Sequence, residues 1–403
     1  MSVSASTLAG LAVALAVGSS TIVFSEPAVT DVLMMGVILG VPILGVGRTG
    51  RISLINYGVW LAIVALGVLG TTFSATFDTA IKHQLVTLYL VTGAFALARY
   101  VANDPEPRIK LVLYCYVAAA MVATVAAVAG YFRLLPGAYE LFTNFGRARG
   151  TFKDPNVFGA AVAPAVVACV WVMLREKPRR ALVAGAVCLP MVIGVLICFS
   201  RGAWISLALS VAILAAVALI TSRRKTDFSR LGKFTALGTG AIIIAIVGIL
   251  QIEQVRTLLT ERASFDQSYD LGPEGRFGGQ EKARALIAEN PLGIGTHTFR
   301  DVHHKEEPHN VYLSMFLNAG WLGGFLYIAT VIGTLAIGLS RSLERSALQG
   351  PLLIVSAAFA GVAFEGYVID SDHWRSFFIL LGCIWGLCDG APRAANPSRR
   401  RDD

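Results

Sequence analysis

Arg147, Arg149 and Lys153 put three cations within seven residues, directly before a long apolar run that opens after Asn156. A helix starting there would offer free amides and partial positive charge, so Arg147, Arg149, Lys153 and a capping Asn156 form a candidate anion site. Contact with lipid headgroups is the competing reading of the same residues. Arg201 stands in the short turn Ser200-Arg201-Gly202-Ala203-Trp204 between two apolar runs. An arginine so close to hydrocarbon is costly unless paired or snorkelling, and its planar fork suits bidentate contact with phosphate oxygens. The bland alternative is a snorkelling residue beside an interfacial Trp204.

A third set occupies a long polar stretch, Glu253 to His309, which carries Arg276, Arg284, His297, His303, His304 and His309. The spacing predicts a short amphipathic helix over Gly278–Glu289, stopped by Asn290-Pro291-Leu292-Gly293. Arg276, Gln280 and Arg284 recur every four residues and align if that helix begins early. His309 and Asn310 stand at the mouth of the next apolar run, where a histidine can act as base, acid or donor near neutral pH. His303-His304-Lys305-Glu306-Glu307-Pro308-His309 invites a metal reading. Adjacent histidines cannot easily face one ion, Lys305 opposes a cation, and no HExxH spacing occurs, so no metal and no cofactor is expected. Glu365 is a further acid near the end of an apolar run. With Asp370, Asp372 and His373 it could line the same cleft, though pairing with an arginine is the simpler account.

The elements that must position these groups are helices in lipid. Hydrophobic residues make up 55% of the 403 and charged residues only 15%, with a mean hydropathy of +0.65. That excludes an ordinary soluble domain. The net charge of +8 sits largely in short loops between apolar runs, which argues for orientation in anionic lipid rather than for nucleic acid. Runs of about 20 apolar residues fall at Thr7–Phe24, Ala28–Val46, Ser53–Phe73, Gln84–Ala102, Lys110–Gly130 and Val157–Leu174. They continue at Ala181–Phe199, Ala203–Thr221, Lys233–Ile252, Asn310–Ser340, Pro351–Ile369 and Trp374–Asp389. The expected fold is therefore all-α and integral to the membrane, with about twelve transmembrane helices and a large extracytoplasmic loop between the ninth and tenth. Residues 1–252 hold nine spans, 253–309 the loop, 310–391 three more spans, and 392–403 a disordered basic tail. The tenth run is too long for one straight crossing, and Gly320-Trp321-Leu322-Gly323-Gly324 predicts a kink or break.

The first basic residue is Arg48, so Thr7–Phe24 reads as a retained helix rather than a cleaved signal. Densely basic short loops around Arg48, Arg99, Arg175, Arg223 and Arg341 predict a cytoplasmic side that also holds both termini. The opposite face then receives the arginine turns and the large loop. All six cysteines lie in or at the edge of apolar runs, and no CxxC occurs. Neither a disulfide framework nor a zinc site is indicated.

In these same residues the chain resembles the O-antigen ligase and O-antigen polymerase family of bacterial surface-polysaccharide enzymes. The likeness rests on Arg149-Gly150-Thr151-Phe152 followed by Pro155-Asn156, on Ser200-Arg201-Gly202-Ala203-Trp204, and on Asn290-Pro291-Leu292-Gly293-Ile294-Gly295. It closes with Pro308-His309-Asn310-Val311-Tyr312-Leu313 leading into Asn318-Ala319-Gly320-Trp321-Leu322-Gly323. Each word alone is common in membrane proteins; the ordered set is specific.

The resemblance implies a GT-C-like inner-membrane glycosyltransferase that takes a glycan from an undecaprenyl-diphosphate donor on the periplasmic face. A ligase passes it to lipid A-core, a polymerase to another lipid-linked glycan. Membrane lipids are the remaining partners. By the same resemblance Arg201, Arg276 and His309 are the catalytic residues; from the residues themselves, Arg147, Arg149, Lys153, Asn156, Arg284, Asn310 and Glu365 are candidates for holding substrate. The two arginines would stabilise the departing diphosphate without a metal, and His309 would act on the acceptor hydroxyl, with inversion expected. A transporter is the rival from another class. Its ionisable groups should lie at midplane in paired broken helices, and here they gather on one face without an internal repeat.

Overall fold

The computed structural model describes residues 4–222, 232, 253 and 272–394, with the backbone alone for 391–394. The expected ninth span, Lys233–Ile252, and the first part of the large loop lie outside the described residues. The other eleven expected spans each coincide with a helix. These are α1 (Ala5–Gly18), α2 (Val29–Ile43), α3 (Arg51–Gly70), α4 (Phe77–Asn103) and α5 (Pro105–Tyr131). After a short α6 (Ala138–Phe142) come α7 (Pro155–Arg175), α8 (Pro178–Ile197) and α9 (Arg201–Ile220). The polar-loop helix is α10 (Arg276–Glu289), followed by α11 (Val311–Leu343), α12 (Gln349–Glu365) and α13 (Arg375–Ala394). Among the described residues, seven helices are long and apolar enough to cross a membrane: α3 with the turn that follows it, α4, α5, α7, α8, α9 and α11. This is a mostly helical membrane protein.

Several boundaries differ from expectation, among them the end of α1 at Gly18 in place of Phe24 and that of α12 at Glu365 in place of Ile369. Helix α4 starts at Phe77, two turns before the expected Gln84, because its first turns are polar and half-exposed rather than apolar. The last helix runs to Ala394, past the expected end of the membrane part at residue 391. A two-stranded hairpin, β1 (Thr143–Asn144) with β2 (Arg147–Ala148), interrupts the all-helical pattern. Its two-residue loop is Phe145-Gly146, both left-handed at φ 50° and 70°. That turn matches the natural twist of paired strands.

The chain divides into two compact units. The first comprises Met1–Gly40, Glu106–Phe265 and Leu339–Gly361; the second comprises Val41–Pro105, Asp266–Gly338 and Val362–Asp403.

The first unit is built on α7, whose small residues are buried from Phe158 to Cys169. A Cβ at Gly159 would meet Ala203 Cβ and Cys198 Sγ at 2.7 Å. Glycine there lets α7 pack directly on the α8–α9 turn. Tyr116 on α5 donates to the Ala161 carbonyl at 2.7 Å, and Leu214, Leu353 and Ala357 close around Val167.

The second unit is built on α4 and α13. Gly382 and Gly386 sit one turn apart, and a Cβ on either would come within 2.4 and 2.6 Å of the Ala94 and Ala98 carbonyls. Small residues at that spacing allow close helix approach in lipid. Trp60 of α3 packs edge-on against Tyr327 at 5.6 Å. The Asp389 carboxylate accepts from the Ile52 and Ser53 amides at 2.9 Å, capping α3 from a distant helix.

The predicted break in α11 falls at Gly320, with φ 70° and ψ −176°. A Cβ there would lie 2.7 Å from the Pro291 carbonyl oxygen. The broken ladder is repaired from outside: Ile294 and Gly295 donate to the Leu317 carbonyl at 2.8 and 3.1 Å, and Trp321 donates to Pro291 at 2.9 Å. Irregular backbone survives in a membrane protein only where other protein satisfies it. The segment Asn290–Gly295 is what does so.

Candidate active site

In the first unit the arginines gather where α7 and α9 begin. Asp154 caps α7, its carboxylate accepting from the Asn156 amide at 2.7 Å, with Pro155 in the first helical position. Asn156 is therefore not the cap. A residue before proline is driven extended, and that is the backbone a cap requires. The Asn156 side chain instead accepts from Arg147 Nη2 at 2.7 Å. Arg147, buried on β2, also donates from Nε to the Cys198 carbonyl at 2.8 Å. A cation at the carbonyl end of α8 is placed favourably.

Arg149 donates to the Leu141 and Lys153 carbonyls at 3.1 and 3.4 Å. Lys153 is exposed and pairs with Glu26 at 3.2 Å. The left-handed Gly150 (φ 54°) is obligatory, since a Cβ would meet the Ala123 carbonyl oxygen at 2.5 Å.

Arg201 is the first residue of α9. Helix α8 ends at Ile197 with Cys198 as its C-cap, Phe199 is left-handed at φ 49°, and Ser200 caps α9 by accepting from the Ala203 amide at 3.3 Å. A bulky residue in that conformation is strained by roughly 1–3 kcal/mol. The Trp204 indole donates back to the Val195 carbonyl at 2.8 Å, holding the turn closed. A guanidinium at a helix N-terminus repels the helix dipole, so the position suits an arginine that meets an anion.

The second unit holds the histidines. His309 is itself left-handed (φ 51°) and immediately precedes Asn310. Asn310 is buried and caps α11, its Oδ1 accepting from the Tyr312 and Leu313 amides at 3.1 and 3.2 Å. The His309 amide donates to Asp370 Oδ2 at 3.0 Å, and its Nδ1 lies 3.8 Å from the same carboxylate. On the other side of the ring, Nε2 lies 3.1 Å from Glu306 Oε2. Ser314 donates to Asp370 Oδ1 at 2.6 Å.

Burial and the neighbouring Asp372 push the Asp370 carboxyl up to about 6 against the opposing pull of Ser314 and His309. For Asp372 burial also acts upward, but His373 and His83 outweigh it and hold its carboxyl below the usual carboxylate range.

Helix α10 does begin at Arg276, so Arg276 and Gln280 share a face. Gln280 donates to the His309 carbonyl at 3.4 Å, and Arg276 reaches the Val368 carbonyl at 3.5 Å. Arg276 and His309 thus come to the same end of the second unit. Arg284, two turns further along, is exposed and joins none of these contacts. Glu365 is buried at the end of α12. His304 is buried too, its ring stacked on Phe299 at 5.6 Å and its Nδ1 accepting from the Glu306 amide at 3.2 Å. It packs over Gly279 and is part of the loop's own core.

Reading the sequence missed His83. It lies on the second turn of α4, just outside the expected span, with Nε2 2.9 Å from Asp372 Oδ2. Its one available signal was a polar His83-Gln84 pair at the mouth of an apolar run. His297, known only as a loop histidine, stands edge-on to His83 at 5.0 Å and meets Glu307 at 2.8 Å.

The family model described as O-Antigen ligase matches residues 186–328. The match runs from within α8 to beyond the break in α11, and so includes Arg201, Arg276, His309 and Asn310. A search of curated proteins found no match.

Proposed function

We propose, from the premise that residues 186–328 belong to the O-antigen ligase family, that this protein is a metal-independent inner-membrane glycosyltransferase. Its donor is a glycan on undecaprenyl diphosphate, and its acceptor is lipid A-core or another polysaccharide end at the periplasmic face. The observation that carries this reading is Arg201 at the first position of α9, behind a strained Phe199 and a capping Ser200. That geometry places a bidentate cation and a helix N-terminus together, which is what a diphosphate requires.

In the reaction the bond between the anomeric carbon and the donor phosphate breaks, and its electron pair leaves on the diphosphate. Arg201 and Arg276 stabilise that growing charge. The acceptor hydroxyl attacks the anomeric carbon from the opposite face, so the product is inverted, and His309 takes its proton. Glu306 and Asp370, on either side of the imidazole at 3.1 and 3.8 Å, orient the ring. A repeat-unit polymerase would use the same donor chemistry. A deletion strain with uncapped core points to ligase; one with core carrying a single repeat points to polymerase.

The test separates the two regions. Arg201→Lys keeps the charge but loses the planar fork, and should lower donor binding and transfer together. His309→Ala should leave donor binding nearly intact and abolish transfer. Lipid-linked donor binding and product formation are measured on purified, folded variants, and equal loss of donor binding in both would defeat the assignment. Reporter fusions after Arg180 should read cytoplasmic and those after Pro136 periplasmic; the reverse would remove the periplasmic face.

A further inference from the structure

We propose that His83, Asp372 and His373 form a divalent transition-metal site, of the zinc class, that clamps the α12–α13 turn to α4. It is a site apart from the transfer chemistry. The three residues each offer one ligand atom, and these atoms all lie within 4.8 Å of one another. His83 Nε2 is 2.9 Å from Asp372 Oδ2, and the His83 and His373 rings lie 4.1 Å apart, inclined by 32°. Small side-chain adjustments bring such a set around one ion.

The chemistry of the donors selects the ion. Two imidazoles and one carboxylate suit zinc and its neighbours, whereas magnesium and calcium prefer oxygen alone. Three protein ligands leave one tetrahedral position for water.

The surroundings are those of a supported metal site. Thr87 lies one turn after His83 on α4, and its Oγ1 is 3.0 Å from His373 Nε2, which fixes that ring's orientation. Glu307 does the same for His297, whose ring stands edge-on to His83 at 5.0 Å. Arg300 is turned to Asp301 at 3.2 Å and lies 4.0 Å from Glu307. His83 sits on α4, and Asp372 and His373 come directly before α13, which packs on α4 backbone to backbone. This differs from the His303–His309 stretch, where His304 is committed to its own loop and Lys282 bonds the His303 carbonyl. The ion would tie α4 to the turn that carries Asp370, and so fix the carboxylate that receives the His309 amide.

The experiment uses the full chain in detergent, purified without a histidine tag, exposed to zinc sulfate and desalted. Metal content is read by elemental mass spectrometry and stability by thermal unfolding. Wild type should retain about one zinc per chain and melt several degrees higher than the chelated protein. His83→Ala and Asp372→Ala should each lose both effects, while His304→Ala keeps the metal. Cobalt loaded into unaltered protein should show the strong visible absorption of a four-coordinate site, a readout that needs no variant to fold. A wild type that leaves the column metal-free, or His83→Ala that retains the full complement, overturns the proposal. Transfer assayed on chelated protein below both melting points should persist. Its loss would count against the metal-free reaction and not against the site.

Discussion

The two regions that hold the candidate residues solve opposite problems. Around Arg147, Arg149 and Arg201 the cations are held by backbone: the Cys198, Leu141 and Lys153 carbonyls, and the geometry of a strained turn. Around His309 two carboxylates do the holding: Glu306 meets the imidazole, while Asp370 accepts from the His309 amide and the Ser314 hydroxyl. The first arrangement presents a permanent charge in a fixed place and barely responds to its surroundings. The second can hold or release a proton. On the proposed reading a diphosphate would meet the former and an attacking hydroxyl the latter.

Both regions share one device. In each, a left-handed residue that is not glycine, Phe199 or His309, comes directly before the cap of a long apolar helix. In the arginine region the strain falls on a neighbour. In the histidine region it falls on the candidate base, whose backbone amide is thereby turned to Asp370.

The comparison breaks most visibly at Arg147. Arg147→Ala leaves the Cys198 carbonyl and the Asn156 side chain without their donor. Each charge-assisted bond is worth about 1.5–3 kcal/mol, so donor binding should weaken on the order of a hundredfold. Equilibrium binding of the lipid-linked donor checks this, and binding as tight as wild type would show that Arg201 needs no such support. A smaller effect is expected at Asp370. Asp370→Asn keeps the shape but loses the charge beside His309, and should slow transfer roughly tenfold (about 1.4 kcal/mol) with donor binding unchanged. Initial rates at saturating donor measure it, and a loss in donor binding would move Asp370 to the diphosphate. The smallest effect belongs to Arg284. Exposed and outside the network, Arg284→Ala should leave both binding and rate within about twofold of wild type. A large loss there would restore it to the substrate-holding set.

Much of the arginine region was legible because it is local. Arg147 to Asn156 and Ser200 to Trp204 are continuous words whose geometry follows from glycine, proline and cap chemistry. The cap differs from expectation, Asp154 in place of Asn156, because Pro155 drives the residue before it into the extended backbone a cap requires. The break at Gly320 was legible for the same reason, whereas α10 begins at Arg276, two residues before the expected Gly278.

The histidine region was legible as residues, His309, Asn310, Asp370, Asp372 and His373 among them, but not as pairings. Its partners come from α4, from the turn between α12 and α13, and from the loop itself. No spacing rule links His83 to Asp372, or Thr76 on the cap of α4 to Asp301. The His83–Asp372 pairing accompanies the contact of α4 with α13 that glycines at 382 and 386 allow, which is a tertiary fact with no local signature.

The glycine break in α11 also bears on the order in which the protein can be made. Its orphaned Leu317 carbonyl and Trp321 amide are met by Ile294, Gly295 and Pro291. The end of α3 lies beneath them, where a Cβ on Gly70 would come within 2.2 Å of the Asn318 carbonyl oxygen. Every group that satisfies the break therefore precedes it in the chain. A ribosome delivers α3 first, then the Asn290–Gly295 segment, and only then the half-helices that need them. The discontinuous helix emerges onto a surface already equipped to receive it, and need not wait in lipid with its backbone unpaired.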